Sequence, residues 1–176
     1  SAFSESGLKS IAIPNGVPEI KSLTFSKCNS LSKVNFGQGS ILNAIGDSAF
    51  EFTPLTSIEI PIGVKSIGFQ SFVACHQLIA VTFSPDSVLK TIVNGAFQAC
   101  FSLKTISIPN GVTTILSHAF QNCPSMKTIT FAADSSLAII GYEVFHATPI
   151  SQCAITPDAG GIVVIPKTLS SFYPLA

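Results

Sequence analysis

Residues 94–109 read Asn94-Gly95-Ala96-Phe97-Gln98-Ala99-Cys100-Phe101-Ser102-Leu103-Lys104-Thr105-Ile106-Ser107-Ile108-Pro109, and the phase of this stretch returns along the whole chain. Phe97 belongs to a series, Phe3, Phe25, Phe50, Phe72, Phe97, Phe120 and Phe145, whose spacings are 22, 25, 22, 25, 23 and 25 residues. The apolar triplet that follows it, Leu103/Ile106/Ile108, returns as Leu8/Ile11/Ile13, Leu31/Val34/Phe36, Leu55/Ile58/Ile60, Leu78/Val81/Phe83, Met126/Ile129/Phe131 and, more loosely, Ile150/Cys153/Ile155. A period of about 20–29 residues is that of a solenoid, in which no coil buries its apolar face except by stacking on its neighbours.

Each triplet reads as a short strand. Its last two apolar residues are two apart and share a face, while the residue between them points away. Strands that recur once per coil stack in parallel, so the pattern predicts a right-handed solenoid of about seven coils. Two coil forms alternate. The short form is Leu-x-x-Ile-x-Ile-Pro-x-Gly-Val-x-x-Ile, as in Leu103–Ile115 and Leu55–Ile67, and Leu8–Ile20 follows the same plan. Its Pro, second in Ile-Pro-Asn-Gly, is expected to preset the turn that ends the strand, and its Gly to relieve the next residue. The long form adds two residues after Phe36, Phe83 or Phe131, which pairs the coils into a super-repeat of 47 to 48 residues. The return path, Val-x-x-Ile and then Ala-Phe, is expected to be irregular, 3₁₀ or short helical. Residues 1–176 form a single array, with regular repeats over 1–155 and an irregular last coil or cap over 156–176. Opening within a repeat at Ser1-Ala2-Phe3, without an initiating Met, the chain reads as a fragment of a longer protein.

Composition narrows the function. Hydrophobic residues make up 47% of the 176 and charged residues only 10%, which excludes disorder and leaves a surface of Ser, Thr, Asn and Gln. The nine basic residues are all Lys and balance nine acids. Without a basic stripe or any Arg, nucleic acid is excluded as a partner, and a polyanion is disfavoured. No run approaches 18 apolar residues, so direct membrane insertion of this stretch is not expected.

Catalytic and metal constellations are missing from the pattern, and no enzyme activity, cofactor or metal site is expected. There is no Gly-x-Ser-x-Gly, His-Glu-x-x-His or P-loop, and the three histidines fall at different phases of the repeat. The strand face carries a single acid, Glu59, so the paired carboxylates of glycoside chemistry are absent. Cys28, Cys75, Cys100 and Cys123 each lie three residues after a periodic Phe, where Ser6, Thr53 and Thr148 stand in other coils. That position selects for a small residue compatible with burial, so these cysteines, and Cys153 at a strand core position, are expected to be buried free thiols. Parallel stacking does not suit disulfide geometry.

The pattern Ala-Phe-x-x-Cys-x-x-Leu-x-x-Ile-x-Ile-Pro, best seen at Ala96–Pro109 and begun again at Ala119-Phe120-Gln121-Asn122-Cys123, resembles the BspA-like class of leucine-rich repeat over about residues 2–155. The resemblance implies a leucine-rich-repeat solenoid of the α/β repeat class, mainly β, with a parallel sheet on one side and irregular, 3₁₀ or short helical segments on the other. It departs from the better-known leucine-rich repeat, whose Asn ladder follows the strand; Gly16, Gly63 or Gly111 stands there instead. It also implies a cell-surface or secreted protein that adheres to a protein or glycan ligand on a host cell or matrix.

The side chains without core duty are those of the outward strand face. Candidate binding residues are Lys33, Asn35, Ser57, Glu59, Thr82, Thr105, Ser107, Thr128 and Thr130. Thr and Ser are also simply good exposed strand residues, and the face lacks Trp and Tyr anchors. Three alternatives stay open: a structural spacer that projects other domains, an intracellular interaction scaffold, which free thiols suit, and an ice-binding surface, which Lys33, Glu59 and Gln152 interrupt.

Overall fold

The computed structural model describes residues 2–150, apart from Pro85 and Ala133, and the backbone of residues 152–156. The expected last coil or cap therefore lies outside the described residues from 157 onward. The described strands run in chain order as β1 (Ser10–Ile13), β2 (Glu19–Ile20), β3 (Lys33–Phe36), β4 (Ala44–Ile45), β5 (Ser57–Ile60), β6 (Ser66–Ile67) and β7 (Ala80–Phe83). They continue as β8 (Thr91–Ile92), β9 (Thr105–Ile108), β10 (Thr114–Ile115), β11 (Thr128–Ala132), β12 (Ile139–Ile140) and β13 (Gln152–Thr156). Odd-numbered strands come from the apolar triplets and even-numbered ones from Val-x-x-Ile in short-form coils or Leu-x-x-Ile in long-form ones. All pairings are parallel and in phase with the repeat: Ile11 lies opposite Val34, Ile58 opposite Val81, and Ile106 opposite Ile129.

The seven periodic phenylalanines form one stacked column, with ring centroids 5.2–5.8 Å apart and planes within 14° of parallel. Phe25, Phe50, Phe72, Phe97 and Phe120 are fully enclosed, whereas Phe3 at the open end remains 42% exposed. Most of the expected strand core is buried, including Ile58, Ile60, Ile106, Ile108, Ile129 and Phe131. Ile11, Phe36 and Phe83 are only partly buried. Ile11 sits on the edge strand β1, which pairs with β3 alone. Phe36 and Phe83 end long-form strands, and there the stack opens. β1 pairs fully with β3, as β5 does with β7 and β9 with β11, but β3 and β5 close no ladder and β7 meets β9 at two positions only. The third long-form strand departs from this: Phe131 is buried and β11 pairs with β13 at five positions, so the looser seams are those after β3 and β7.

The return path differs from expectation. No helix occurs among the described residues, and Val-x-x-Ile, with Leu-x-x-Ile in the long-form coils, forms two further parallel sheets, β2–β4–β6 and β8–β10–β12. The Phe segments beyond it are turns whose backbone alternates in hand. Positive φ occurs two residues before and two after the periodic Phe, as at Leu23 and Lys27, Ser48 and Phe52, Gln70 and Ala74, and His118 and Asn122. Left-handed residues at that spacing forbid a helix. Their cost is offset by a ladder between coils: the N–H groups of Ser48, Phe50 and Phe52 donate to the carbonyls of Phe69, Ser71 and Val73 at 2.8–2.9 Å. The intervening N–H groups of Ala49, Glu51 and Thr53 close turns onto Gly46, Ser48 and Phe50 within the coil, so the run satisfies its own donors.

The turn after each short strand also differs. Val17, Val64 and Val112 donate their N–H to the carbonyls of Pro14, Pro61 and Pro109, each at 3.1 Å. Pro therefore holds the first turn position rather than the second, and the Gly at this place does not adopt positive φ. Long-form loops use Ser instead, through N–H bonds from Leu42 to the Ser40 hydroxyl and from Leu89 to the Ser87 hydroxyl.

The four described cysteines are buried free thiols. Their position asks for more than small size. Cys28, Cys75, Cys100 and Cys123 each donate Sγ–H to the carbonyl of the preceding coil's periodic Phe, at 2.8–3.3 Å, and the Thr148 hydroxyl does the same to Phe120. Any small residue with a donor serves, which explains the exchange of Cys, Thr and Ser. Burial pushes the Cys75 and Cys123 thiols up to about 12, and Cys100 rises for the same reason, with Cys75 and Cys123 beside it adding repulsion. A thiol harder to ionise folded than unfolded stabilises the fold fully below the unfolded value of about 8.5, and that contribution disappears as pH rises toward the folded value. The thermal midpoint should thus fall between pH 9 and 12 more steeply than in the triple variant Cys75→Thr/Cys100→Thr/Cys123→Thr. Parallel curves would refute the thiol origin. Thiol titration should likewise find these four cysteines protected in the native state and reactive after denaturation.

Candidate ligand-binding face

The strand alternation that buries Ile and Val turns the intervening side chains outward. Lys33, Asn35, Ser57, Glu59, Thr82, Thr105 and Ser107 are exposed, and Thr128 and Thr130 half-buried. Register sets them in two rows. Thr105 faces Thr128 and Ser107 faces Thr130, whose hydroxyls share a 2.6 Å hydrogen bond. Glu59 faces Thr82 across β5 and β7. All nine candidates thus lie on one face, eight of them in two groups with Thr82 between.

The first group surrounds the seam between β3 and β5. A groove of about 620 Å³ opens there, lined by Lys33, Asn35, Ser57 and Glu59, with Gln38 and Ile62 at its rim. It holds the face's one cation–anion combination together with amide and hydroxyl groups. The second group, Thr105, Ser107, Thr128 and Thr130, is a flat hydroxyl array. A smaller recess lies beside Ser107 and Thr130, at the partly opened seam between β7 and β9. The seams follow the first two long-form coils, whereas β11 in the third pairs fully with β13, so coil length alone does not set them.

The exposed aromatic side chains lie elsewhere. Phe52, Phe69, Phe101 and Tyr142 project from the Phe-turn side. There Phe52 meets the His76 ring edge-on at 6.5 Å, and His76 stacks on Phe101 at 4.3 Å. An amide row runs beside them, Gln70 to Gln98 at 3.4 Å, Gln98 to Gln121 at 2.6 Å, and Gln121 to the Glu143 carboxylate at 3.1 Å. The sequence signal for these aromatics was their place outside the 22–25-residue phase. Among the described residues no three His, Cys, Asp or Glu side chains converge on a metal site, and no helix is long and apolar enough to cross a membrane.

Stacked parallel strands, enclosed Leu/Ile/Phe columns and a repeat-phased outer face define a leucine-rich-repeat solenoid. The chain belongs to the BspA-type leucine-rich repeat region family, whose model matches in six copies over residues 1–88 and 43–162. Solved structures share the fold. A leucine-rich repeat protein of Eubacterium ventriosum superposes with a TM-score of 0.69 at 20% identity, covering 84% of this chain and 45% of that one. One from Bacteroides ovatus gives 0.64 at 24% identity, covering 89% and 51%. The pneumococcal vaccine antigen PcpA gives 0.63 at 20%, covering 86% and 51%. The chain spans about half the length of these structures. No curated protein matches it at the level of sequence.

Proposed function

We propose that this array is a non-enzymatic recognition module of a surface or secreted protein, with the strand face contacting a protein or glycan ligand on a host cell or matrix. The observation that carries the reading is the face itself. Five coils bring nine polar side chains without core duty onto one surface, with a groove at the β3–β5 seam. Solenoids recognise partners through such extended faces because many coils contribute to one surface. Likeness to a vaccine antigen supports exposure at a cell surface. With hydroxyls and amides dominating, one array should bind modestly, gain by multivalency and depend weakly on salt.

The test is adhesion of the multimerised array to host cells and to immobilised matrix proteins, at two ionic strengths, beside the variant Thr105→Arg/Thr128→Arg. Two arginines on the hydroxyl rows should reduce adhesion at least tenfold without changing the melting curve. Adhesion that survives both changes moves the contact to another face. No adhesion by the multimer replaces this reading with that of a structural spacer.

A further inference from the structure

The Phe-turn side carries a trough with its own chemistry, away from the strand face. Its floor is the residue two after each periodic Phe. That residue is Ala74, Ala99, Asn122 and Ala147 in successive coils, each at positive φ, so the floor is shallow and mostly methyl. Gln98 and Gln121 form one wall. At one end the same position holds Phe52 rather than Ala, and its ring, 48% exposed, rises as a stop braced by His76.

We propose that this trough binds a neutral, linear glycan laid along the solenoid axis, with Phe52 packing against a sugar face and Asn122 and His146 hydrogen-bonding its hydroxyls. Two observations favour that ligand. The lining has no Lys, Asp or Glu, which offers nothing to an acidic or basic chain. Its polar groups are amides and two imidazoles, and its apolar ones a ring and methyls, a set that matches the hydroxyl edges and C–H faces of sugars.

The experiment titrates cellohexaose and mannohexaose, with hyaluronan hexasaccharide as the acidic counterpart, into isotope-labelled protein and follows backbone amide signals. At least one neutral hexasaccharide should give saturable shifts at Ala74, Ala99 and Asn122. Phe52→Ala should weaken it at least fivefold. Ala99→Lys, which fills the floor, should abolish it; Lys27 holds the same position at positive φ in its own coil, so the backbone accepts that residue. Thr105→Arg on the strand face should leave binding unchanged. The proposal is overturned by no saturable shift with either neutral glycan, by preference for hyaluronan, or by full binding in both trough variants. Shifts confined to Thr105 and Thr128 also overturn it and place the glycan on the strand face instead, so failure here is separable from failure of the strand-face reading.

Discussion

Phe97→Ala is expected to destabilise the array by about 3–5 kcal/mol, the cost of truncating a fully enclosed aromatic. Phe97 lies between Phe72 and Phe120, with centroids at 5.3 and 5.6 Å, and removing its ring leaves a void facing both neighbours. The cavity has little means of collapse. Above and below it the backbone is tied, by the Phe97 N–H to the Ala119 carbonyl and by the Phe72 N–H to the Ala96 carbonyl, both at 2.9 Å. Phe3→Ala offers the contrast. Phe3 stacks on Phe25 alone and is 42% exposed, so its loss should cost about 1 kcal/mol or less. Urea unfolding of both variants measures the difference. Equal losses would mean that the column does not carry the stability of the array. A second transition in Phe97→Ala would fit a stack whose coils couple only to their neighbours.

The column and the long-strand core were legible because each rests on a period the chain keeps from coil to coil. Phe50 to Phe72 and Ile58 to Val81 are the same distances seen twice in sequence and once in space. The return sheets were not legible. A strand such as Thr91–Ile92 buries one residue, and one residue shows no alternation to distinguish strand from turn. The alternating turn was hidden more deeply. Its left-handed positions hold Leu23, Lys27, Ser48, Gln70, Ala99 and Glu143, with Gly95 and Asn122 the residues whose type most suggests positive φ. What fixes those positions is the ladder to the next coil, a tertiary cause with no local signature. The strand-face residues were readable as a set, because alternation assigns them a side, but the β3–β5 seam depends on how long and short coils stack. The Phe52–His76–Phe101 contact was harder to read: His76 and Phe101 each lie four residues after a periodic Phe, but Phe52 lies only two after its own.

Gly68→Ala should cost about 1–3 kcal/mol, as an overpacked contact that only backbone movement relieves. The Ile-Gly pair recurs at Ile45-Gly46, Ile67-Gly68 and Ile140-Gly141, where the short return strand ends and the Phe turn begins. Gly68 does not have positive φ, so conformational freedom is not what selects it. The selection comes from the neighbouring coil: a Cβ there would stand 2.5 Å from the Asp47 amide nitrogen and 2.5 Å from the Gly46 carbonyl carbon. Both are backbone atoms. Nor can the coils separate freely, since Gly68 N–H is bonded to the Ile45 carbonyl at 2.7 Å. A methyl group must then lengthen that bond or tilt the coil, disturbing the Phe50–Phe72 stack beside it. Val93 and Leu116 hold the same place in other coils, so the array accepts a side chain there only where the adjoining backbone has been set for it. Gly16 is the control, because a Cβ there meets nothing within 4 Å, and Gly16→Ala should change stability by no more than about 0.5 kcal/mol. Chemical denaturation of the two variants decides the matter: equal small effects would show that the coils have slack at Gly68, while a loss confined to Gly68→Ala locates the limit on coil spacing at the start of the Phe turn.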